Sequence, residues 1–279
     1  MPSEPQSSLS EEPILSLERQ IARLRFEALI ADTKAADAIY DSLAESRSGR
    51  IISTDLARFL DESYRIHVPG SLRDMRPSWS GAWVYAHDRL HREISHRRGR
   101  KLFRMMAGGW AAGKTYALQR AKSAELSWDG TLADPVWAAE TIRLAVAQGW
   151  NVQVAYVHRP IELACQGALE RGITEGRMVP LIKLPAVHAS VQSSVLKLER
   201  QFRTNSKVDF LLLHNPGTPG NPADVTRLRI ADIAPSGRLH YSRADVEDLQ
   251  KAARHIWQEA HDRGDCPQAV VEAAGQGMG

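Results

Sequence analysis

A glycine-rich segment that ends in Lys and Thr is the part of the sequence best suited to chemistry. It fits the pattern G-x-x-x-x-G-K-[ST], with an apolar run before it (residues 102–106) and a helix-forming run after it (residues 116–121). In a strand–loop–helix context, glycines let the loop curl so that backbone N–H groups point at phosphate oxygens. The positions of the pattern, all predicted to bind nucleotide, are Gly108, Gly109, Trp110, Ala111, Ala112, Gly113, Lys114 and Thr115.

Two side chains of this loop have specific expected roles. Lys114 would reach the β- and γ-phosphates, and the Thr115 hydroxyl would hold Mg²⁺. The alternative, a glycine-rich turn with an unrelated lysine, is disfavoured because the whole pattern matches in the expected context. The sequence therefore predicts a P-loop that binds Mg²⁺ with ATP or GTP, and it does not distinguish the two nucleotides.

The elements that would position this loop alternate between strand and helix from residue 50 to residue 213. This alternation predicts an α/β fold, with a parallel sheet, helices on both faces and a P-loop kinase-like arrangement. Further helices are expected at the N- and C-terminal ends. The predicted boundaries are a disordered tail at 1–12, an N-terminal helical segment at 13–49, a P-loop kinase domain at 50–262 and a flexible tail at 263–279.

Composition limits the classes of function that remain. The chain has 279 residues, 43% of them hydrophobic, and a formal net charge of +3, which is too small a charge to favour nucleic acid as a partner. No apolar run approaches the ~20 residues that span a bilayer. The N-terminus lacks the basic-then-apolar pattern of a secretion signal, and the two cysteines suggest no disulfide framework. We expect a cytoplasmic protein without a membrane partner.

Phosphoryl transfer also needs a carboxylate at the acceptor and positive charge on the migrating group. Asp55 and Asp129 both lie where a predicted strand ends, which is where α/β proteins bind ligands. Asp55, or the neighbouring Thr54, could instead cap the following helix. Arg177 lies in a predicted polar loop that follows a helix, and Arg171 lies just before this loop. The two arginines could form a lid over the phosphates or be plain surface charge.

Two other charged clusters suggest functions that we do not favour. His87, His91 and His96 have the spacing of ligands on one helix, but no Cys or carboxylate set completes a metal site, so we expect surface residues. The basic run at residues 97–101 is typical of a solvated helix end and could also line a groove for nucleic acid.

Several of these segments together resemble the zeta toxin family of P-loop kinases, over roughly residues 50 to 213. They are the P-loop, the segment Asp129-Gly130-Thr131-Leu132, the helix after it and the strand at 152–157. The resemblance implies that Asp129 and Thr131 contribute to the acceptor site and that Arg171 and Arg177 act on the phosphoryl group. It also implies a nucleotide-like acceptor, as in family members that act on UDP-N-acetylglucosamine, and an antitoxin as protein partner.

One departure from the family pattern concerns the catalytic carboxylate. In the family it lies after the P-loop, in a segment similar to Asp-x-x-Arg, and the interval between Lys114 and Asp129 has no room for it. Asp55 and Arg58 have this spacing but precede the P-loop. We therefore expect a rearranged, permutation-like order in which Asp55 is the general base and Arg58 helps to bind the acceptor. Asp129 would then bind Mg²⁺ or the acceptor, and it remains the alternative base.

The sequence thus predicts a kinase that transfers the γ-phosphate of ATP or GTP to a hydroxyl of a nucleotide sugar or other nucleotide. Two alternatives stay open. One is a polynucleotide or nucleoside kinase, with residues 97–101 beside the bound strand. The other is a nucleotide-binding regulatory module without transfer activity, which would act through its N-terminal helices.

Overall fold

The computed structural model describes residues 16–96, 102–120, 124–217, 225–264 and 266–276. The predicted disordered tail at 1–12 and the basic run at 97–101 lie outside these residues. None of the described helices is both long enough and apolar enough to cross a membrane.

The described strands form one mixed sheet in the order β1-β3-β2-β4-β5-β6. All neighbours are parallel except β6, which runs antiparallel to β5 at one edge. The strands are β1 (Ile51–Ile52), β2 (Leu102–Ala107), β3 (Leu126–Asp129), β4 (Asn151–His158), β5 (Val208–His214) and β6 (Thr226–Leu228).

Helices connect and cover these strands. They are α1 (Leu17–Ala31), α2 (Thr33–Ser42), α3 (Thr54–Ala57), α4 (Glu62–Arg65), α5 (Trp79–His96), α6 (Lys114–Arg120), α7 (Pro135–Ala147), α8 (Ile161–Glu175), α9 (Leu184–Phe202), α10 (Ile230–Ile233), α11 (Arg243–Arg263) and α12 (Gln268–Ala274). Short 3₁₀ turns lie at Ala44–Ser46, Arg58–Leu60 and Leu181–Lys183.

Both faces of the sheet are covered, as the alternation of side chains along β2 shows. Phe103 and Met105 belong to a core cluster shared with α5, α7 and α9, whereas Met106 belongs to a separate cluster that includes Ala117 of α6. Successive side chains of a strand point to opposite faces, so each cluster occupies one face. The predicted α/β fold, a mostly parallel sheet with helices on both faces, is confirmed.

One predicted loop and one predicted tail differ from the structure. Helix α8 continues to Glu175 before Gly176 ends it in the left-handed conformation, so Arg171 lies in a helix and not in a loop. The segment predicted as a flexible tail contains α12, in which Val270 and Ala274 are fully buried against α8 and α11. Short amphipathic helices near a chain end give a weak pattern, and tertiary packing decides whether they form.

The N-terminal helices are attached to the rest of the chain through a buried arginine. Arg89 of α5 is 2% exposed, and it donates hydrogen bonds to Asp37 (3.2 Å) and Asp41 of α2 and to Tyr85 (2.8 Å). The guanidinium carbon also lies 4.7 Å from the ring centre of Tyr40. Residues 16–49 therefore pack on the α/β core through a charged contact as well as an apolar one.

We expect Arg89→Met to lower the free energy of unfolding by about 2–4 kcal/mol, because a buried side chain loses its hydrogen bonds to two carboxylates and to the Tyr85 hydroxyl. Arg92→Met is the matched control. Arg92 pairs with the same Asp37 at 3.0 Å but is 34% exposed, so its loss should cost under about 1 kcal/mol. Urea unfolding measures both values, and equal effects would contradict a special role for Arg89.

Candidate active site at the carboxyl edge of the sheet

The strand order brings three chemically important segments together. The P-loop follows β2, Asp129 ends β3 and Asp55 follows β1, and these strands are adjacent in the order β1-β3-β2. Parallel strands end at the same edge of a sheet, where open α/β folds bind ligands. The segment before the P-loop therefore lies beside the segments after it, as the rearranged order requires.

The P-loop has the backbone conformation expected of a phosphate cradle. Gly113 has φ +84°, and a Cβ there would lie 2.2 Å from Nδ2 of Asn215, so both conformation and space require glycine. The Lys114 ammonium donates to the carbonyls of Gly108 (3.0 Å) and Gly109 (3.1 Å). Burial lowers the pKa of Lys114, although the charges of Asp129 and Asp55 oppose this shift. A lysine curled over its own loop can extend to phosphate oxygens when a triphosphate enters.

Side chains from three other elements support the loop from behind. The carbonyls of residues 110, 111 and 112 accept hydrogen bonds from His188 (2.9 Å), Arg159 (2.9 Å) and Asn215 (3.1 Å), respectively. Residue 111 has φ +55°, which is unusual for alanine and needs such support. These hydrogen bonds fix the orientation of three successive peptide groups of the loop. We did not predict these three residues, although Arg159 and Asn215 directly follow strands β4 and β5.

We expect the loss of one of these contacts to weaken ATP binding. Burial lowers the pKa of His188 to about 4, so its ring is neutral and the carbonyl contact places the proton on Nε2. His188→Leu should raise the Kd for Mg·ATP by about 3- to 10-fold, the value of one neutral hydrogen bond. His188→Gln can present an amide N–H at a similar position and should bind more nearly like the wild type. Calorimetric titration measures both, and equal Kd values for Leu and Gln would contradict the role of the hydrogen bond.

Asp55 does not cap α3, in which it is the second residue. Ser53 is the N-cap of α3, and its hydroxyl accepts a hydrogen bond from the Asp55 N–H (3.1 Å). The Asp55 carboxylate instead accepts hydrogen bonds from Arg58 (2.9 Å) and from Arg177. The capping alternative for Asp55 is therefore wrong, and its carboxylate contacts two arginine side chains just after the end of β1.

The surrounding positive charge keeps this carboxylate ionised. Burial alone would raise the pKa of Asp55, but the charges of Arg177, Arg58, Arg171 and Lys114 outweigh it and hold the pKa well below its ordinary value. Asp55 is therefore an anion at every physiological pH. A carboxylate in this state can accept a hydrogen bond from a hydroxyl group and can take its proton.

Asp129 lies in a different electrostatic environment. Burial raises its pKa, and the opposing charge of Lys114 is partly offset by Asp55. The Thr115 hydroxyl donates a long hydrogen bond of 3.4 Å to the Asp129 carboxylate. These two oxygens are the kind of hard ligands that Mg²⁺ takes beside a bound triphosphate, which supplies further oxygens of its own. In the described part of the chain, no group of three or more His, Cys, Asp or Glu side chains is placed to hold a metal ion, and the pair fits a cation carried by the nucleotide.

The two predicted phosphate-binding arginines occupy different positions. Arg177 follows the end of α8 and contacts Asp55 directly. Arg171 lies one turn before the helix end and pairs with Glu175 at 3.5 Å. Both line the cleft above the P-loop, together with Arg58 and Thr131. All predicted site residues except Gly108 and Gly109 line this one cleft, and those two accept hydrogen bonds from Lys114. Arg171 stands on a helix and not on a loop.

The cleft has a volume of about 1700 Å³ and extends beyond Asp129 to an aromatic surface. The side chains of this surface, here called the aromatic wall, are Trp83, His87, Trp128 and Trp137. His87 was expected at the surface and is instead buried among the three indoles. The helical pattern of α5 contained the signal, since His87 follows Trp83 by one turn on the face that packs on the sheet.

Comparisons with known proteins agree with part of this description. A sequence model of the zeta toxin family, described as "Zeta toxin", matches residues 124–211. This segment is less than half of the chain; it includes Asp129, Thr131, Arg171 and Arg177 and excludes the P-loop and Asp55. No protein of curated function matches the chain in sequence.

Solved structures with a similar arrangement of elements have low sequence identity. The native AvrRxo1-ORF1:ORF2 complex has a chain that is 13% identical, with a TM-score of 0.42, and the similarity covers 74% of this chain and 96% of that one. The same complex with ATP gives 14% identity and a TM-score of 0.38, over 66% and 80% of the chains.

A chain of the PezAT chromosomal toxin–antitoxin system of Streptococcus pneumoniae gives 12% identity and a TM-score of 0.34, over 64% and 96% of the chains. The match of the family model confirms the resemblance predicted from the sequence over one segment: residues 124–211 of this chain carry the zeta toxin sequence pattern.

Proposed function

We propose that this protein is a phosphotransferase that moves the γ-phosphate of ATP or GTP to a hydroxyl group of a small molecule. The observation that carries the proposal is the meeting of Lys114, Asp129 and the Asp55–Arg177 pair in one cleft at the P-loop. These are the groups that phosphoryl transfer requires, namely a phosphate cradle, a cation site, a carboxylate and positive charge beside the transferred group.

Each group has a distinct task in the proposed reaction. The P-loop N–H groups and Lys114 bind the phosphates. Thr115 and Asp129 would hold a Mg²⁺ ion, which would supply charge neutralisation at the phosphates. Asp55 accepts the proton of the acceptor hydroxyl while the hydroxyl oxygen bonds to the γ-phosphorus. The bond between the γ-phosphorus and the oxygen that bridges it to the β-phosphate breaks, and the nucleoside diphosphate leaves. Arg177 and Arg171 stabilise the charge on the transferred group.

The acceptor class and the partner are proposals that depend on the family. Because the matched segment contains the proposed acceptor residues Asp129 and Thr131, we propose a nucleotide sugar or other nucleotide as acceptor. Such an activity would deplete a metabolite, so an antitoxin is the protein partner we propose. Action in the cytoplasm is part of the same proposal.

The experiment is to incubate the purified protein with Mg²⁺, γ-labelled ATP or GTP and a pool of nucleotide sugars, nucleotides and dinucleotides. We expect label in one small molecule, and we expect none after chelation of Mg²⁺. Label in added oligonucleotides instead would favour the polynucleotide kinase alternative. ATP binding without transfer to any acceptor class would favour the regulatory module.

A further inference from the structure

We propose that the aromatic wall (Trp83, His87, Trp128 and Trp137) binds a planar aromatic ring of the acceptor, and that the acceptor is therefore selected for a nucleobase or a similar heterocycle. This inference rests on the proposed function and goes further by naming the surface and the part of the acceptor that it recognises.

The wall is a continuous aromatic surface. The His87 ring centre lies 4.0 Å from Trp83, 4.7 Å from Trp137 and 4.8 Å from Trp128. Trp128 and Trp137 are themselves 5.1 Å apart. These contacts hold the rings in place, because His87 packs on all three indoles and the side chains come from α5, β3 and α7. A ring that binds here meets a surface that loses little conformational entropy.

The outer members of the wall leave apolar surface open to the cleft. Trp83 and Trp137 are half-buried, while Trp128 and His87 are buried behind them. Val136, beside Trp137, is 67% exposed and lines the same cleft. Burial lowers the pKa of His87, so the wall carries no charge at neutral pH. An uncharged aromatic surface in a cleft selects ligands by stacking and not by ion pairing.

The position of the wall relates it to the acceptor and not to the donor. The donor phosphates would bind at the P-loop, after β2, whereas the wall is formed by Trp128 of β3 and by side chains of α5 and α7. Trp128 directly precedes Asp129, and a Cβ on Gly130 would be 2.4 Å from the Trp128 indole nitrogen. The indole thus lies against the Asp129-Gly130-Thr131 segment. A ring stacked on the wall would place an attached sugar beside Asp129 and Asp55, where the γ-phosphate must meet its acceptor.

The test uses paired ligands with and without a base. The full chain is saturated with Mg²⁺ and a non-hydrolysable ATP analogue, so that the donor site is filled. UMP, AMP and ribose 5-phosphate are then titrated separately in a calorimeter. UMP or AMP should bind at least about tenfold more tightly than ribose 5-phosphate, because stacking one base on aromatic side chains is worth about that much.

Ring-removing and ring-keeping variants locate the contact. Trp137→Leu and Trp83→Leu should each weaken binding of the tighter nucleotide by about tenfold, whereas Trp137→Phe should retain most of it. Binding of the ATP analogue should be unchanged in all three, which also shows that they fold. Val84→Ala, on the exposed side of α5, should change neither affinity.

Several results would overturn the inference. They are equal binding of ribose 5-phosphate and both nucleotides, no nucleotide binding with the donor site filled, or nucleotide binding that survives loss of both indoles. The comparison of bases in the wild type needs no variant, so the inference stays testable even if a variant fails to fold. If the ATP analogue itself does not bind, the proposed function fails. If it binds and label moves to an acceptor without a ring, only this inference fails.

Discussion

Lys114→Ala is expected to lower kcat/KM for ATP by about 10²–10³-fold, which is the effect of removing one charge-stabilising donor from a reaction centre. Lys114 already lies over the P-loop carbonyls of Gly108 and Gly109, and its charge acts on both Asp55 and Asp129. Its removal should therefore weaken binding of the γ-phosphate and also slow its transfer. Label transfer at varied ATP concentrations measures both effects.

Lys197→Ala is the matched control for this change. Lys197 is exposed on α9 and does not line the cleft, so its loss should leave kcat/KM at the wild-type value. A Lys114→Ala protein that transfers phosphate as fast as the wild type would show that the P-loop is not the donor site. Such a result would remove the basis of the proposed function.

Asp55→Asn is expected to lower kcat by about 10²–10⁴-fold, the contribution of a positioned general base. Affinity for ATP should be retained or should rise, because Arg177 loses its carboxylate partner and becomes free for the phosphates. The asparagine keeps the size of the side chain while it removes the charge and the proton-accepting oxygen. Steady-state transfer and equilibrium ATP binding, measured on the same preparation, separate the two effects.

Two further variants decide between the candidate bases. Asp129→Asn should raise the Mg²⁺ concentration needed for half-maximal rate, and high Mg²⁺ should restore part of the activity, since Asp129 stands beside Thr115 as a cation ligand. Asp88→Asn, an exposed position on α5, is the control and should have no effect. If Asp129→Asn loses turnover at every Mg²⁺ concentration while Asp55→Asn keeps it, Asp129 is the base.

The parts of the site that the sequence predicted are those set by local pattern. Glycine positions and the Lys-Thr pair identify the P-loop, and strand ends identify Asp55 and Asp129, because each depends on a few neighbouring residues. The adjacency of β1 and β3 could be expected from the general behaviour of parallel sheets. The register that pairs Ile52 with Trp128, and so fixes how β1 lies beside β3, appears only in the folded chain.

Contacts between distant segments could not be predicted in the same way. His188 lies far from the P-loop in sequence, and its hydrogen bond to Trp110 depends on how α9 packs. The Asp55 partner Arg177 was predicted as a phosphate ligand, yet nothing in the sequence pairs it with Asp55 before nucleotide binds. Likewise, the Ser53 cap was missed because Ser, Thr and Asp in succession are all good caps, and only geometry selects one.

The order of the site's strands along the chain differs from their order in the sheet. A strand that supplies a carboxylate can precede or follow the P-loop in sequence, provided that its carboxyl end reaches the same edge of the sheet. Here β1 comes first in the chain and still lies next to β3, two positions from β2. The proposed site therefore depends on the order of strands in the sheet, and a different order along the chain leaves that arrangement intact.

In the proposed reaction, residues before and after the P-loop act on one phosphoryl group. A crystal structure with Mg²⁺ and a non-hydrolysable ATP analogue would show whether they do. We expect the γ-phosphate in contact with Lys114 and Arg177, Mg²⁺ beside Thr115 and Asp129, and the Asp55 carboxylate facing the open side of the γ-phosphorus. A triphosphate bound elsewhere, or an Asp55 carboxylate turned away from the γ-phosphate with Arg177 still attached to it, would contradict the claim.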